Sequence, residues 1–419
     1  MKDRIVLGKN CIVSSDCSLT QLNNNIIVCG SSGCGKTMSI SEPRLLETRQ
    51  SSLIITLSKR KLVSKYWPLF RRRGYNTWIL DFANPANCNI SYDPLKYVKT
   101  NADITFLADS IVKSNPQKKN SSADPYWDEA AVSLLSAEIG YIINTKENPC
   151  FTDVLELHDE LEIEDGSGAI RTSLDEKFNR LGLAEPKCFA VSCWKSFKKL
   201  PIKTASCVFG TLNTSIDTIF SPELRNMMRK KGKIDFRKLS SEKTILFVVT
   251  SAVNPILHCF VNMFYSQVFK ELFEYAESCE EGVLPVPVHV LCDDFAVGSR
   301  IYNFPEYISI FREKRISVSM LLQSESQLES MYGTNDATTI INNADTYVYM
   351  GGMDLKTCRS ISERLNVPLD EILYMPLGQE VIFRRGQKPV VTQRYNVLEN
   401  ELYKEITKQY EGFFNGQGR

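Results

Sequence analysis

No apolar run in this sequence approaches the ~20 residues that cross a bilayer. The opening Met1-Lys2-Asp3-Arg4 lacks a secretion signal. The expectation is a soluble chain, with any membrane anchor outside it. The thirteen cysteines form no C-x-x-C pair, so neither a zinc site nor a disulfide framework is indicated. Neither sign of charge is in excess: 50 Lys and Arg against 49 Asp and Glu leave +1. Nothing global therefore announces nucleic acid, and any such binding must use a local patch. The three histidines, His158, His258 and His289, are isolated, and none is assigned catalysis. Internal repeats and low-complexity tracts are absent too. What is present is a chain of 419 residues, too long for one ordinary core, so two domains are expected. Apolar content of 43% and charged content of 24% are those of a folded protein.

Up to about residue 100, strand and helix patterns alternate. Strands are predicted at Ile26–Gly30, Leu53–Leu57 and Thr77–Asp81, with helices at about 37–48 and 60–72. This rhythm argues a parallel sheet with helices on both faces. From about 101 to 235 strand signals thin out. Ala130–Ile143, Phe151–Leu161, Ile170–Leu181, Cys188–Phe197 and Ala205–Ile219 read as helices, and Lys113–Ser122 as a polar loop. Strands return at Thr244–Thr250, followed by a long amphipathic helix at about 255–278. Further strands are predicted at 287–293, 317–322 and 345–350, with a late hairpin of Glu380–Arg384 and Val390–Arg394. The expected fold is α/β with a mainly parallel sheet, in three stretches. Residues 1–100 and 236–419 form the two parts of a nucleotide-binding domain, and 101–235 an inserted all-α domain.

The chemistry is announced at Gly30-Ser31-Ser32-Gly33-Cys34-Gly35-Lys36-Thr37. The segment matches G-x-x-x-x-G-K-[ST]. It follows the apolar run Ile26-Ile27-Val28-Cys29 and precedes a helical pattern, which is the context a phosphate-binding P-loop needs. Glycines let backbone N–H groups close on phosphate oxygens, and the helix N-terminus adds partial positive charge. Lys36 would reach the β- and γ-phosphates of ATP, and the Thr37 hydroxyl would ligate Mg²⁺. Cys29 and Cys34 beside this loop imply a reducing compartment. A second carboxylate for Mg²⁺ is expected at the end of another apolar strand. Val288-His289-Val290-Leu291-Cys292-Asp293-Asp294-Phe295 supplies it. Asp293 would hold Mg²⁺, and Asp294 would act on the attacking water. An adjacent acidic pair favours hydrolysis over nucleotide sensing alone.

Several segments together resemble one family. They are the P-loop, Asp124-Pro125-Tyr126-Trp127-Asp128-Glu129-Ala130, Cys292-Asp293-Asp294-Phe295-Ala296, Ile316–Gln323 with Gln327-Leu328, and Asn342–Gly352. Their order and spacing, from about 20 to 395, resemble the type IV coupling proteins, the TraG/TraD-type ATPases of bacterial conjugation and type IV secretion. The resemblance implies a RecA-like motor domain with an inserted all-α domain. It implies a ring hexamer at the cytoplasmic face of the bacterial inner membrane. It also implies single- or double-stranded DNA as cargo, a relaxase or other relaxosome protein docked on the all-α domain, and components of the secretion channel as partners. The chain departs from the family at three points. The usual N-terminal transmembrane helices are missing, so membrane association would use segments absent from this chain. The second acid is Asp294 where Glu is common. The turn after the second strand reads Leu57-Ser58-Lys59-Arg60.

The family motif gives Gln323, at the end of an apolar strand, the task of sensing the γ-phosphate. A strand-end hydrogen bond to a loop is the plainer alternative. Arg312 occupies the family's arginine-finger position, acting on a neighbouring subunit's site. Arg315 is the runner-up, and an arginine offsetting a helix dipole is the plainer reading for both. Lys59, Arg60, Lys61, Lys65, Arg71, Arg72 and Arg73 form the densest basic stretch, either a phosphate-contacting surface or a solvated helix face. Trp127 serves either as a stacking platform or as an anchor for the first helix of the insertion. The reading is thus an ATP-driven motor that recruits relaxase-bound DNA or a protein substrate. A nucleotide-gated recruitment receptor with little motor activity is the alternative.

Overall fold

Continuous apolar runs set the frame of this protein. The computed structural model describes residues 3–113, 125–165, 170–251, 255–295, 297 and 300–416. Its strands are β1 (Arg4–Gly8), β2 (Cys11–Ser14), β3 (Ile26–Cys29), β4 (Ser52–Leu57), β5 (Asn76–Asp81), β6 (Ile163–Asp165), β7 (Ile170–Thr172), β8 (Thr244–Val249), β9 (Val288–Cys292), β10 (Ile316–Leu322), β11 (Thr346–Tyr349), β12 (Gln379–Arg384) and β13 (Val390–Gln393). Every residue of β3, β4, β8 and β9 is buried. That is the pattern of parallel strands covered on both faces.

Two compact units emerge. The first comprises residues up to Asp81, Asp235–Thr250 and Val268 onward. It holds a nine-stranded sheet in the order β13-β12-β11-β3-β10-β9-β4-β8-β5. From β11 to β5 every pair is parallel. The hairpin β12–β13 adds two antiparallel strands beside β11. The expected α/β fold with a mainly parallel sheet is borne out. Helix Arg60–Arg72 buries Leu62, Val63, Tyr66, Leu69 and Phe70, an apolar stripe at helical spacing. Phe70 meets Phe247 of β8 edge-on at 6.2 Å.

Two elements of this unit carried no clear sequence signal. The β1–β2 hairpin is held by Asp3, whose carboxylate accepts from the N–H groups of Arg49, Gln50 and Ser51 at 2.6, 2.7 and 2.9 Å. The C-terminal helix Glu401–Gly416 lies on helix Arg60–Arg72, with Lys65 Nζ 3.4 Å from the centre of the Tyr403 ring. The helix expected at about 37–48 also differs in detail. It opens as a π-turn, Thr37–Ser41, before the α-helix Glu42–Glu47. The Glu42 N–H bonds back to Thr37 O, and Pro43 has no N–H to continue the ordinary ladder.

The second unit comprises Phe82–Ile234 and Ser251–Gln267, taking in residues on both sides of the 101–235 span read from the sequence. Its principal helices are Asn101–Lys113, Pro125–Thr145, Phe151–Asp159, Asp175–Ala184, Phe189–Lys198, Ile202–Ile219 and Pro222–Arg229. Tyr92 OH donates to Gln267 Oε1 at 2.6 Å and Tyr97 OH to Ile234 O at 2.6 Å. These bonds tie residues before 101 and after 250 into the unit. Phe178 and Trp194 stack at 4.1 Å. One local expectation is corrected. The helix read from Ile170 starts only at Asp175, because Ile170–Thr172 pairs antiparallel with Ile163–Asp165. Asp175 accepts from the Thr172 N–H at 3.0 Å and hydroxyl at 2.8 Å, closing the turn that separates strand from helix. The polar loop beyond Lys113, Asp124 and Ala296 lie outside the described residues.

Candidate nucleotide site

Strand register brings the predicted residues to one edge of the sheet. Cys29 of β3 stands opposite Leu322 of β10, and Met320 of β10 opposite Cys292 of β9. The strands are parallel, so Gly30, Gln323 and Asp293 all emerge at their carboxyl ends, where open α/β sheets bind ligands. The Gly30 N–H donates to Leu322 O at 3.1 Å and the Ser31 N–H to Gly351 O at 2.9 Å. These bonds seat the loop Gly30–Thr37 between β10 and the turn after β11. Gly33 and Gly35 hold φ of +78° and +89°, where a side chain is strained and where successive N–H groups can turn inward on an anion.

Lys36 is buried. Its Nζ donates to Gly30 O at 2.5 Å and Ser31 O at 3.1 Å, so the ammonium folds back over the loop. The Thr37 hydroxyl donates to Asp293 Oδ2 at 2.9 Å. Burial pushes the Asp293 carboxyl up to about 6, and the Asp294 charge adds to this. The Thr37 hydrogen bond and the Lys36 and Lys59 ammonium groups pull it back. Asp294 has φ of +102°, a conformation a non-glycine residue keeps only when its surroundings impose it. The next residue imposes it here. The Phe295 N–H donates to Leu321 O at 3.0 Å, and the Phe295 ring stacks on Tyr332 at 5.9 Å.

Gln323 is exposed at the end of β10, and its N–H donates to Gln327 Oε1 at 3.1 Å. Arg312 is exposed in a 3₁₀ turn, Phe311–Lys314, that leads into β10. It stands at the opposite end of that strand from Gln323, about 20 Å away for seven residues, and so does not join the loop cluster of its own chain. Arg315, at φ +57°, donates to Leu284 O at 3.4 Å and pairs with Glu281 at 3.8 Å.

The basic stretch is largely partnered within the protein. Arg60 pairs with Asp81 at 3.3 Å, Lys65 with Glu42 at 3.1 Å and Arg72 with Glu405 at 3.1 Å. Lys61 sits over the Tyr410 ring. Arg73 caps the helix Glu42–Glu47 through Leu46 O at 2.8 Å and Thr48 O at 2.6 Å. Trp127 is half-buried on the first turn of its helix and meets Tyr126 edge-on at 5.8 Å. The histidines have structural bonds. His289 lies between the Ser317 and Ser319 hydroxyls at 2.7 and 2.9 Å, His158 bonds Glu138 at 3.0 Å and His258 bonds Ser251 O at 2.9 Å.

Two relationships near the loop escaped sequence reasoning. Lys59, read from the sequence only as part of the basic stretch and of the turn after β4, acts electrostatically on Asp293. Arg394, after β13, donates to the carbonyls of Cys34 and Met350, and no motif marks it. Among the described residues no group of three His, Cys, Asp or Glu side chains could hold a metal ion. The hydroxyl and carboxylate of Thr37 and Asp293 nevertheless suit a Mg²⁺ that takes most of its remaining oxygens from phosphates and water. Among the described residues no helix is long and apolar enough to cross a membrane.

The sequence profile of the family described as Type IV secretory system Conjugative DNA transfer matches residues 3–368. No curated protein matches the chain in sequence. Solved structures share its fold. The plasmid coupling protein TrwB in complex with ADP and Mg²⁺ is 17% identical, with a TM-score of 0.66 over 89% of this chain and 86% of that one. TrwB in complex with the non-hydrolysable ATP analogue ADPNP is 18% identical, with a TM-score of 0.66 over 89% and 85%. VirB4 of Thermoanaerobacter pseudethanolicus is 11% identical, with a TM-score of 0.55 over 94% and 96%.

Proposed function

The chain belongs to the type IV secretory system conjugative DNA transfer family, and from that membership we propose that it is an ATP-hydrolysing coupling protein that delivers DNA to a secretion channel. The observation that carries the ATPase reading is the 2.9 Å hydrogen bond between Thr37 and Asp293. It joins the two oxygen donors of a P-loop site from segments far apart in sequence. TrwB binds ADP with Mg²⁺ and an ATP analogue in the structures named above, and the same ligands are proposed here.

In this reading Gly30, Ser31, Ser32, Gly33, Cys34 and Gly35 wrap the phosphates with their N–H groups. Lys36 exchanges the Gly30 and Ser31 carbonyls for phosphate oxygens. Thr37 and Asp293 hold Mg²⁺, which neutralises charge on the phosphates when bound. Asp294 orients the attacking water, Gln323 responds to the γ-phosphate, and Arg312 reaches the site of a neighbouring subunit. That last role implies a ring, with six subunits expected from the family. The segment 101–235, largely helical but carrying the β6–β7 pair rather than all-α as expected, would dock a relaxase or another relaxosome protein. A place at the cytoplasmic face of the inner membrane is proposed from the same family reading.

The alternative, a recruitment receptor gated by nucleotide, draws support from Asp294. Its side chain is one methylene shorter than the family's usual Glu. Lys36→Ala separates nucleotide-dependent function from none. The variant should remain folded, lose ATP binding and lose any turnover stimulated by single-stranded DNA. Turnover equal to wild type would sink the motor reading.

A further inference from the structure

Arg394 follows β13, and its N–H donates to Gly378 O at 2.8 Å, which fixes where the side chain starts. The half-buried guanidinium forks between two carbonyls. Nη1 donates to Cys34 O, inside the phosphate loop, and Nη2 to Met350 O at 2.5 Å. Met350 is the first residue beyond β11, and the residue after it, Gly351, accepts the Ser31 N–H. One side chain from the late hairpin thus holds both the loop and the turn on which the loop rests.

The carbonyl of Cys34 belongs to the same peptide unit as the Gly35 N–H. Gly35 has φ of +89°, the conformation that turns such an N–H into the anion cradle. A cationic donor on the carbonyl fixes the plane of that peptide and polarises its N–H, making it a better donor to an anion. Glu380 on β12, a carboxyl on which Arg394 acts electrostatically, is fully buried, and neither of its oxygens has a hydrogen-bond partner. Burial pushes it up to about 8, with Arg394 pulling the other way, so near neutrality it stays largely uncharged.

We propose that Arg394 is a positioning residue for the nucleoside triphosphate, holding the Cys34–Gly35 peptide with its N–H toward the phosphates and lending its charge from behind the loop. This rests on the reading of Gly30–Thr37 as a nucleotide site. The test is equilibrium binding of a fluorescent ATP analogue with Mg²⁺ to the full chain, with KM and kcat for ATP beside it. Wild type, Arg394→Ala and Arg394→Lys are compared. Arg394→Ala should raise Kd and KM at least tenfold with little change in kcat, well below its melting temperature. Arg394→Lys, which keeps the charge and reaches one carbonyl, should recover part of the loss.

If Arg394→Ala does not fold, Arg394→Lys decides. A Kd raised several-fold supports the proposal, and a wild-type Kd overturns it. A folded Arg394→Ala chain with wild-type Kd and KM overturns it as well. A wild-type chain that binds no analogue would instead overturn the nucleotide reading, and this inference with it.

Discussion

The Thr37 hydroxyl donates to Asp293 Oδ2 at 2.9 Å, joining the last residue of the phosphate loop to the first residue beyond β9. The contact follows from sheet order. β10 lies between β3 and β9 and pairs parallel with both, so both strand ends open on the same edge. Asp293→Asn keeps the shape of the pair and removes the negative charge a cation needs. It should lower Mg²⁺-dependent turnover about 10²-fold, as loss of one preorganised electrostatic group does. Chelating Mg²⁺ should weaken ATP binding to wild type far more than to Asp293→Asn. Equal Mg²⁺ dependence of the two chains would exclude Asp293 as a ligand.

Asp294→Asn should bind ATP normally and nearly lose hydrolysis. Asn tolerates the positive φ that Asp294 adopts, so the backbone strain is unchanged and only the carboxylate is lost. Asp294→Glu should keep or raise turnover by restoring the longer side chain usual in the family. Rapid-quench measurement of phosphate release checks both. Normal hydrolysis by Asp294→Asn would make the residue structural.

Arg312 should act across a subunit boundary, since it stands at the far end of β10 from its own loop. Arg312→Ala should cost ~10³-fold or more in turnover and spare nucleotide affinity. Mixed with Lys36→Ala subunits, which lack the phosphate ligand, it should regain activity where an intact loop faces an intact arginine. Full activity of Arg312→Ala alone would dismiss it. Arg315, held at Leu284 O and Glu281, is then the next residue to test.

Glu380 gives a pH dependence to folding. Its carboxyl stays protonated in the native chain up to about 8, against an ordinary value of 4.5. Between these values the native state binds more protons than the unfolded state, so its contribution to stability falls as pH rises and levels off above about 8. Arg394 opposes the rise, and Cys11 on β2 also feels the Glu380 charge. Glu380→Gln should flatten the curve. Its stability relative to wild type should grow by up to a few kcal/mol as the pH is raised through that window, since each tenfold difference in proton affinity between the two states is worth about 1.4 kcal/mol. Parallel urea midpoints for the two chains across that range would refute the buried-carboxyl account.

The parts of the fold legible in the sequence are those in which local chemistry and tertiary role agree. Apolar runs such as Ile26–Cys29 are fully buried strands, and Gly33 and Gly35 hold the positive φ that makes glycine the residue for such a loop. The β1–β2 hairpin was not legible, because its anchor is a single carboxylate, Asp3, serving a loop far along the chain. The β6–β7 pair was hidden in a short segment that also fits a helix. Arg394 was invisible because its partners are main-chain carbonyls, and carbonyls leave no residue-type signature. The basic stretch from Lys59 to Arg73 shows the converse. A conspicuous charge run proves to be largely ion pairs, ring contacts and a helix cap within the protein.

The most direct measurement of the motor reading is ATPase rate per chain against protein concentration, with and without single-stranded DNA, for wild type and Lys36→Ala. The account predicts a wild-type rate that rises with concentration as subunits bring Arg312 to one another's sites, a further rise with DNA, and silence from Lys36→Ala. A wild-type rate that is flat with concentration, indifferent to DNA and no higher than that of Lys36→Ala would contradict it and favour the nucleotide-gated receptor.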